Sequence, residues 1–125
     1  MLRRCERPVV LIVEDEFLIR TDAVDMVRAA GFDVVEAQNA DEAAHVLERR
    51  FDITVVFTVV QTPGSMDGLK LAAATRGRWR PIHIVATSAQ ARVGQEDLPP
   101  GSRFLRKPYS APQIVAALRE LTGAV

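Results

Sequence analysis

Four short segments hold most of the side chains able to do chemistry, and each one follows directly on an apolar run. Glu14-Asp15-Glu16 ends the run Val9-Val10-Leu11-Ile12-Val13, and Val59-Val60-Gln61 ends the run that begins at Ile53. Thr87-Ser88 ends the run from Ile82, and Lys107-Pro108 closes the short segment Arg103 to Arg106. Carboxylates offer oxygen ligands to a hard cation, an ammonium group is a point charge for an anion, and a hydroxyl donates a single hydrogen bond. Taken singly, these signals are commonplace. An acidic pair after a strand is ordinarily a solvated turn, Lys-Pro ordinarily ends a strand, and strand-end hydroxyls such as Thr87 and Ser88 ordinarily bond backbone. Their weight depends on whether the chain brings the four ends together.

The elements that must position them are read from periodicity. Val9 to Val13 shows no alternation, the pattern of a strand covered on both faces. From Phe17 the period becomes helical, with Ile19, Ala23, Met26 or Val27, and Ala30 on one face and Gly31 as the stop. Phe32 to Ala37 reads as a second strand. Asn39 then caps a second helix, with Glu42 expected to complete a capping box and Ala43, Val46 and Leu47 on the apolar face. Ile53 to Val60 is the third strand, Gln61 to Gly68 a loop by its Pro and Gly content, Leu69 to Arg76 a short helical pattern, and Ile82 to Thr87 the fourth strand. Ala89 to Leu98 offers little periodicity before Pro99-Pro100-Gly101, so any fourth helix is short or frayed. Arg103 to Arg106 is a brief fifth strand, and Ser110 with Gln113 opens a last helix bearing Ile114, Leu118 and Leu121 and ended by Gly123. The fold class expected is α/β: a doubly wound five-stranded parallel sheet, strand order 2-1-3-4-5, in a flavodoxin-like three-layer sandwich. In that order a ligand crevice lies at the carboxyl ends of strands one and three, which selects Glu14, Asp15 and the residues from Val59 to Gln61.

Composition bounds the rest. A chain of 125 residues with 48% hydrophobic and 26% charged residues reads as a single globular domain over 1–125, with a core of about 8–123 and no output domain. Lys plus Arg equals Asp plus Glu at 16 each, so no global field attracts a nucleic-acid backbone or an anionic membrane. Cys5 is the only cysteine and is expected to be an incidental surface thiol. No apolar run reaches the ~20 residues of a membrane span, and the expected location is cytoplasmic. His45 and His83 have no companions at metal-ligand spacing. Trp79 among Arg76, Arg78 and Arg80 reads as a solvated basic loop against an indole, with a protein-binding patch as the alternative. No glycine-rich phosphate loop, nucleophile elbow or Cys-His pair points to an unrelated enzyme.

In order and along nearly the whole chain, the four segments resemble the response-regulator receiver family. Val9-Val10-Leu11-Ile12-Val13-Glu14-Asp15-Glu16 is similar to its first strand and acidic pair, and Phe57-Thr58-Val59-Val60-Gln61-Thr62-Pro63-Gly64-Ser65-Met66-Asp67-Gly68 to its third strand and loop. Ile84-Val85-Ala86-Thr87-Ser88-Ala89 is similar to its fourth strand with the switch hydroxyl, and Phe104-Leu105-Arg106-Lys107-Pro108-Tyr109 to its fifth strand with the Lys-Pro pair. The resemblance implies a site where a phosphoryl group passes from a histidine kinase to an aspartate beside Mg²⁺. It would make Asp15 the closer metal ligand, Glu14 the more distant one, and the Gln61 carbonyl a third. Lys107 and Ser88 would meet phosphoryl oxygens, Phe104 would be the aromatic that changes rotamer with the switch hydroxyl, and the bond before Pro108 would be a candidate cis peptide.

One departure governs the functional expectation. Aligning Pro63-Gly64 and Met66-Asp67-Gly68 with the family loop puts Val59 at the acceptor position, and valine has no nucleophilic oxygen. Thr58 points to the opposite face of a strand, and Asp67 belongs to the turn, so neither is expected to substitute. Losing one carboxylate also makes Mg²⁺ binding weak or absent. The resemblance therefore implies a stand-alone pseudo-receiver that is not an enzyme. Its expected partners are proteins, namely a histidine kinase, a phosphotransfer protein or another regulator, with neither nucleic acid nor membrane, as a monomer or weak homodimer. The alternatives are phosphotransfer through another acceptor, or an introduced substitution at Val59. A transcription factor is a third class, disfavoured by the absence of a basic face.

Overall fold

The computed structural model describes residues 7–60, 82–89, 94–98 and 101–123. Five strands form one sheet: β1 (Val9–Val13), β2 (Asp33–Ala37), β3 (Ile53–Val59), β4 (His83–Ser88) and β5 (Arg103–Arg106). The order is β2-β1-β3-β4-β5 and every neighbouring pair is parallel. The helices described are α1 (Phe17–Ala29), α2 (Ala40–Arg49) and α3 (Ala111–Thr122), with a 3₁₀ turn at Gln95–Asp97.

The unbroken apolar runs follow from burial on both faces of the sheet. Val9, Leu11 and Val13 of β1 join Val56 and Ile84 in one core, closed by Ala43 and Leu47 of α2. Val10 and Ile12 join Val55, Phe57 and Val85 in the other, closed by Ala23, Val24 and Val27 of α1 and by Ile114, Ala117 and Leu118 of α3. With no solvent face there is no polar phase, so periodicity of two is silent in these strands. Ile114 and Leu118 are fully buried, and truncating either to alanine would cost about 2–5 kcal/mol.

Helix ends agree with the sequence chemistry, with small displacements. Ser110 accepts from the Gln113 amide while the Gln113 side chain accepts from the Ser110 amide, a complete capping box, and Gly123 at φ 74° ends α3 in the left-handed region. Asn39 accepts from the Glu42 amide as expected. The reciprocal bond is displaced: Glu42 Oε1 accepts from the amide of Gln38, not Asn39, so the box closes one residue early. Gly31, at φ 98°, follows the end of α1. β2 begins at Asp33, because Phe32 is spent on the core between α1 and the sheet. β3 ends at Val59, and β4 runs from His83 to Ser88, one residue later than its expected span at both ends. Cys5, the loop from Gln61 to Gly68, the helical pattern from Leu69 to Arg76, and Trp79 with its arginines lie outside the described residues.

Candidate functional site

The register decides which strand-end side chains share a face. Val13 pairs with Thr58, Thr58 with Ala86, and Ala86 with Phe104, so these four form one row. The next row is Glu14, just past β1, then Val59, Thr87 and Leu105. Side chains alternate along strands, so the second row faces the core shared by α1 and α3, where Ile12, Phe57 and Leu105 also lie. Lys107, two residues past Leu105, returns to that face. Thr58 falls on the other one, fully buried, with its hydroxyl donating a long bond of 3.4 Å to the Val59 carbonyl.

The row's two ends are closed by an ion pair. Lys107 Nζ donates to Glu14 Oε1 at 2.8 Å across 93 residues of chain, and the carboxylate is 4% exposed. Glu14 Oε2 accepts from the Glu16 amide at 3.2 Å, and the Glu14 carbonyl accepts from Arg20 at 2.8 Å. Both carboxylate oxygens are thus engaged by the protein. Burial still holds the Glu14 pKa above its ordinary value; Lys107 and the Glu16 amide only partly offset that desolvation. The Lys107–Pro108 peptide bond is cis, and the Lys107 amide donates to the Ser88 carbonyl at 3.0 Å.

Between these ends a cleft of about 440 Å³ opens above Val59. Ile19, Asp22 and Met26 of α1 form one wall, Pro108 and Tyr109 another, and Val59 and Val60 the sheet side, with Glu16 and Lys107 at the margin. Tyr109 packs edge-on against Phe57 at 5.7 Å, and its hydroxyl pKa is pushed up to about 12 by burial, then by the charges of Glu14 and Asp22.

The structure brings together Glu14, Val59 and Lys107 of the residues singled out in the sequence, with Asp15 exposed beside Glu14. Ser88, fully buried, and Phe104 lie by alternation on the opposite face. There Phe104 packs with Val60, Ala86 and Leu98, under the Arg106 guanidinium at 4.7 Å. Gln61 and Asp67 lie outside the described residues. Three features escaped sequence reasoning. Thr87, expected to bond backbone, is 1% exposed, stands across the strands from Val59, and has no partner for its hydroxyl among the described residues. The register with β3 was the missing signal, since it puts Thr87 and not Ser88 beside Val59. Tyr109 and Asp22 are the other two, brought to the cleft by tertiary packing alone.

The described residues do not assemble a ligand set for Mg²⁺. Glu14 is committed to Lys107 and the Glu16 amide, an isopropyl group stands at Val59, and no group of three or more His, Cys, Asp or Glu side chains is placed to hold a metal among the described residues. Among those residues, too, no helix is long and apolar enough to cross a membrane.

A five-stranded parallel sheet in this order, with strand-end acid, hydroxyl and Lys-Pro, defines a signalling domain of known type. The chain belongs to the response regulator receiver domain family, whose model matches residues 10–119, and such domains serve two-component systems. It is similar to the aerobic respiration control protein ArcA of Escherichia coli K12, 37% identical over 124 residues that cover 93% of this chain and 49% of the relative. It is also similar to the sensor kinase CckA of Brucella abortus strain 2308, 30% identical over 116 residues that cover 90% of this chain and 12% of the relative. Among solved structures, a sensor protein from Polaromonas sp. JS666 superposes with a TM-score of 0.77 at 27% identity, covering 93% of this chain and 96% of that one. The chain spans about half, or less, of the curated relatives it matches.

Proposed function

We propose that this receiver domain is a pseudo-receiver, which works in two-component signalling by binding other proteins and is not phosphorylated at position 59. The observation that carries the reading is Val59 itself. It lines the cleft on the same sheet face as Glu14 and Lys107, where the family resemblance puts the acceptor aspartate, and it has neither a nucleophilic oxygen nor a titratable proton. Thr58 gives no rescue, since the pleat turns it to the opposite face. Lys107, the residue that would meet phosphoryl oxygens, is neutralised internally by Glu14.

On this reading Phe104 is the remnant of a switch aromatic, Thr87 in place of the expected Ser88 is the hydroxyl that faces position 59, Mg²⁺ binds weakly or not at all, and the domain performs no catalysis. Its partners are proteins of the signalling pathway, a histidine kinase, a phosphotransfer protein or another regulator, met in the cytoplasm by a monomer or weak homodimer. Receiver domains generally engage kinases and regulators. The sensor kinase and the respiration control protein among the relatives support a role of that kind.

Incubation with acetyl phosphate and magnesium chloride, followed by intact-mass measurement, is expected to show no added phosphoryl group. A stoichiometric mass gain would overturn the reading, and peptide mapping would then distinguish Thr58 from an acceptor such as Asp67.

A further inference from the structure

The charges around the cleft no longer suit an anion. Lys107 is the only cation among its described lining residues, and its ammonium sits 2.8 Å from Glu14 Oε1. Glu16 and Asp22 also line the cleft, both are exposed, and neither has an ion-pair partner among the described residues. Counting Glu14, three carboxylates face one ammonium, so the described residues give the opening a net negative charge of two. Tyr109 senses the same field, since both Glu14 and Asp22 disfavour its ionised form. A phosphate would have to displace Glu14 from Lys107 and then sit between two further carboxylates.

Below this acidic rim the walls are apolar. Ile19 and Met26, seven residues apart on α1, lie on one helical stripe, and Val59 supplies the apolar surface opposite. A long aliphatic stem with a cationic head matches that profile, because such side chains bury methylenes and leave the charge at the polar margin. Arginine fits better than lysine. Its guanidinium is planar, weakly hydrated and able to lie against an aromatic ring such as Tyr109 while donating to carboxylates. A volume of about 440 Å³ is within the ordinary range for a ligand pocket and leaves room for an apolar neighbour of that arginine.

We propose that the cleft over Val59 receives an arginine side chain, flanked by aliphatic residues, from a segment of a partner protein. This deepens the pseudo-receiver reading and rests on it: the place of a covalent phosphoryl anion is taken by a non-covalent cation from the partner.

The test uses capped tripeptides and the full chain with ¹³C-labelled methyl groups. Acetyl-Leu-Arg-Leu-amide is expected to shift the methyls of Ile19, Met26 and Val59, and the binding to weaken as salt is added. The isosteric citrulline peptide should bind more weakly, and the glutamate peptide should not bind. The variant pair Glu16→Gln and Asp22→Asn, both at exposed positions, should weaken the arginine peptide by about threefold per carboxylate and leave the citrulline peptide unchanged, as expected of partly screened charge pairs. Equal binding of arginine and citrulline, binding of the glutamate peptide, or indifference to the variants would overturn the proposal. So would magnesium chloride displacing the arginine peptide in a manner dependent on the same two carboxylates, which would make the site one for metal ions. No phosphodonor is present in these titrations, so their outcome is independent of the intact-mass experiment that tests the underlying reading.

Discussion

Two buried polar features lie in the same row of the sheet and are treated in opposite ways. At its flanks, Glu14 after β1 and Lys107 after β5 close on each other at 2.8 Å, with the second carboxylate oxygen held by a backbone amide. In the middle, the Thr87 hydroxyl of β4 is buried beside Val59 of β3 and has no partner among the described residues. A buried ion pair gains Coulomb energy only against a desolvation cost, and the raised Glu14 pKa says that here the cost is not fully offset. A buried hydroxyl left unpaired costs about 1–3 kcal/mol outright. Natural cores keep few such groups. The contrast is one of pairing: the charged flanks form an internally neutral strut, and the centre of the row sets an isopropyl group beside a hydroxyl.

The strongest way to break this contrast is to remove one flank. Lys107→Met keeps the apolar stem but leaves the Glu14 carboxylate buried without its cation. Urea denaturation at neutral pH is expected to show a loss of about 3 kcal/mol, the usual result of unpairing a buried charge. Part of that loss should be regained as pH falls toward the ordinary glutamate value of 4.5, because burial lets Glu14 protonate above that value and the loss of Lys107 removes a cause that lowers it. A loss below about 0.5 kcal/mol, in the range of exposed ion pairs, would mean that the strut is not structural.

Restoring a carboxylate at the centre sharpens the contrast from the other side. Val59→Asp sets a new charge beside Glu14 and Asp15 with a single lysine to share. Without magnesium the expected destabilisation is on the order of 1–2 kcal/mol, as Coulomb repulsion at ~5 Å gives in a well-screened site. Adding magnesium chloride should restore the melting temperature of this variant and leave that of the parent protein unchanged. Equal melting temperatures for both proteins in both conditions would count against position 59 as the acceptor site.

Much of this was legible in sequence because it is local. The aliphatic runs of β1 and β3, the capping pair Ser110 and Gln113, and the strand order implied by alternating elements each depend on neighbours within a few residues or on a general rule of connection. The acidic pair and the Lys-Pro pair could be placed at strand ends for the same reason. What sequence could not supply was register. Whether Thr87 or Ser88 stands beside Val59 depends on a one-residue slip that inverts the face of every side chain in the strand. The ion pair across 93 residues, and the gathering of Asp22, Met26 and Tyr109 around one cleft, depend on how α1 and the start of α3 pack on the sheet. The early closure of the Glu42 bond is a matter of side-chain reach, since Gln38 and Asn39 offer adjacent amides to the same carboxylate.

Two smaller effects test whether the centre and the flanks are energetically separate. Thr87→Val removes the orphan hydroxyl at nearly constant shape and is expected to stabilise the domain by about 1 kcal/mol, readable as a higher urea midpoint at unchanged slope. A loss of stability would mean that the hydroxyl has a partner. The flank has its own pH signature. Glu14 has a folded pKa above the unfolded value of 4.5, so across that interval the folded state binds more protons than the unfolded one. Its contribution to stability is therefore fullest below 4.5 and is lost as pH rises through the folded pKa. Glu14→Gln lacks this titration while keeping a hydrogen-bond acceptor for Lys107. Stability measured from pH 4.5 upward should thus fall more steeply in the parent than in this variant. If the parent instead gained stability relative to the variant over that range, Lys107 would be overcompensating the burial of Glu14, and the strut would be a net source of stability. Thr87→Val should leave this pH dependence unchanged, since its hydroxyl is bonded to neither member of the pair.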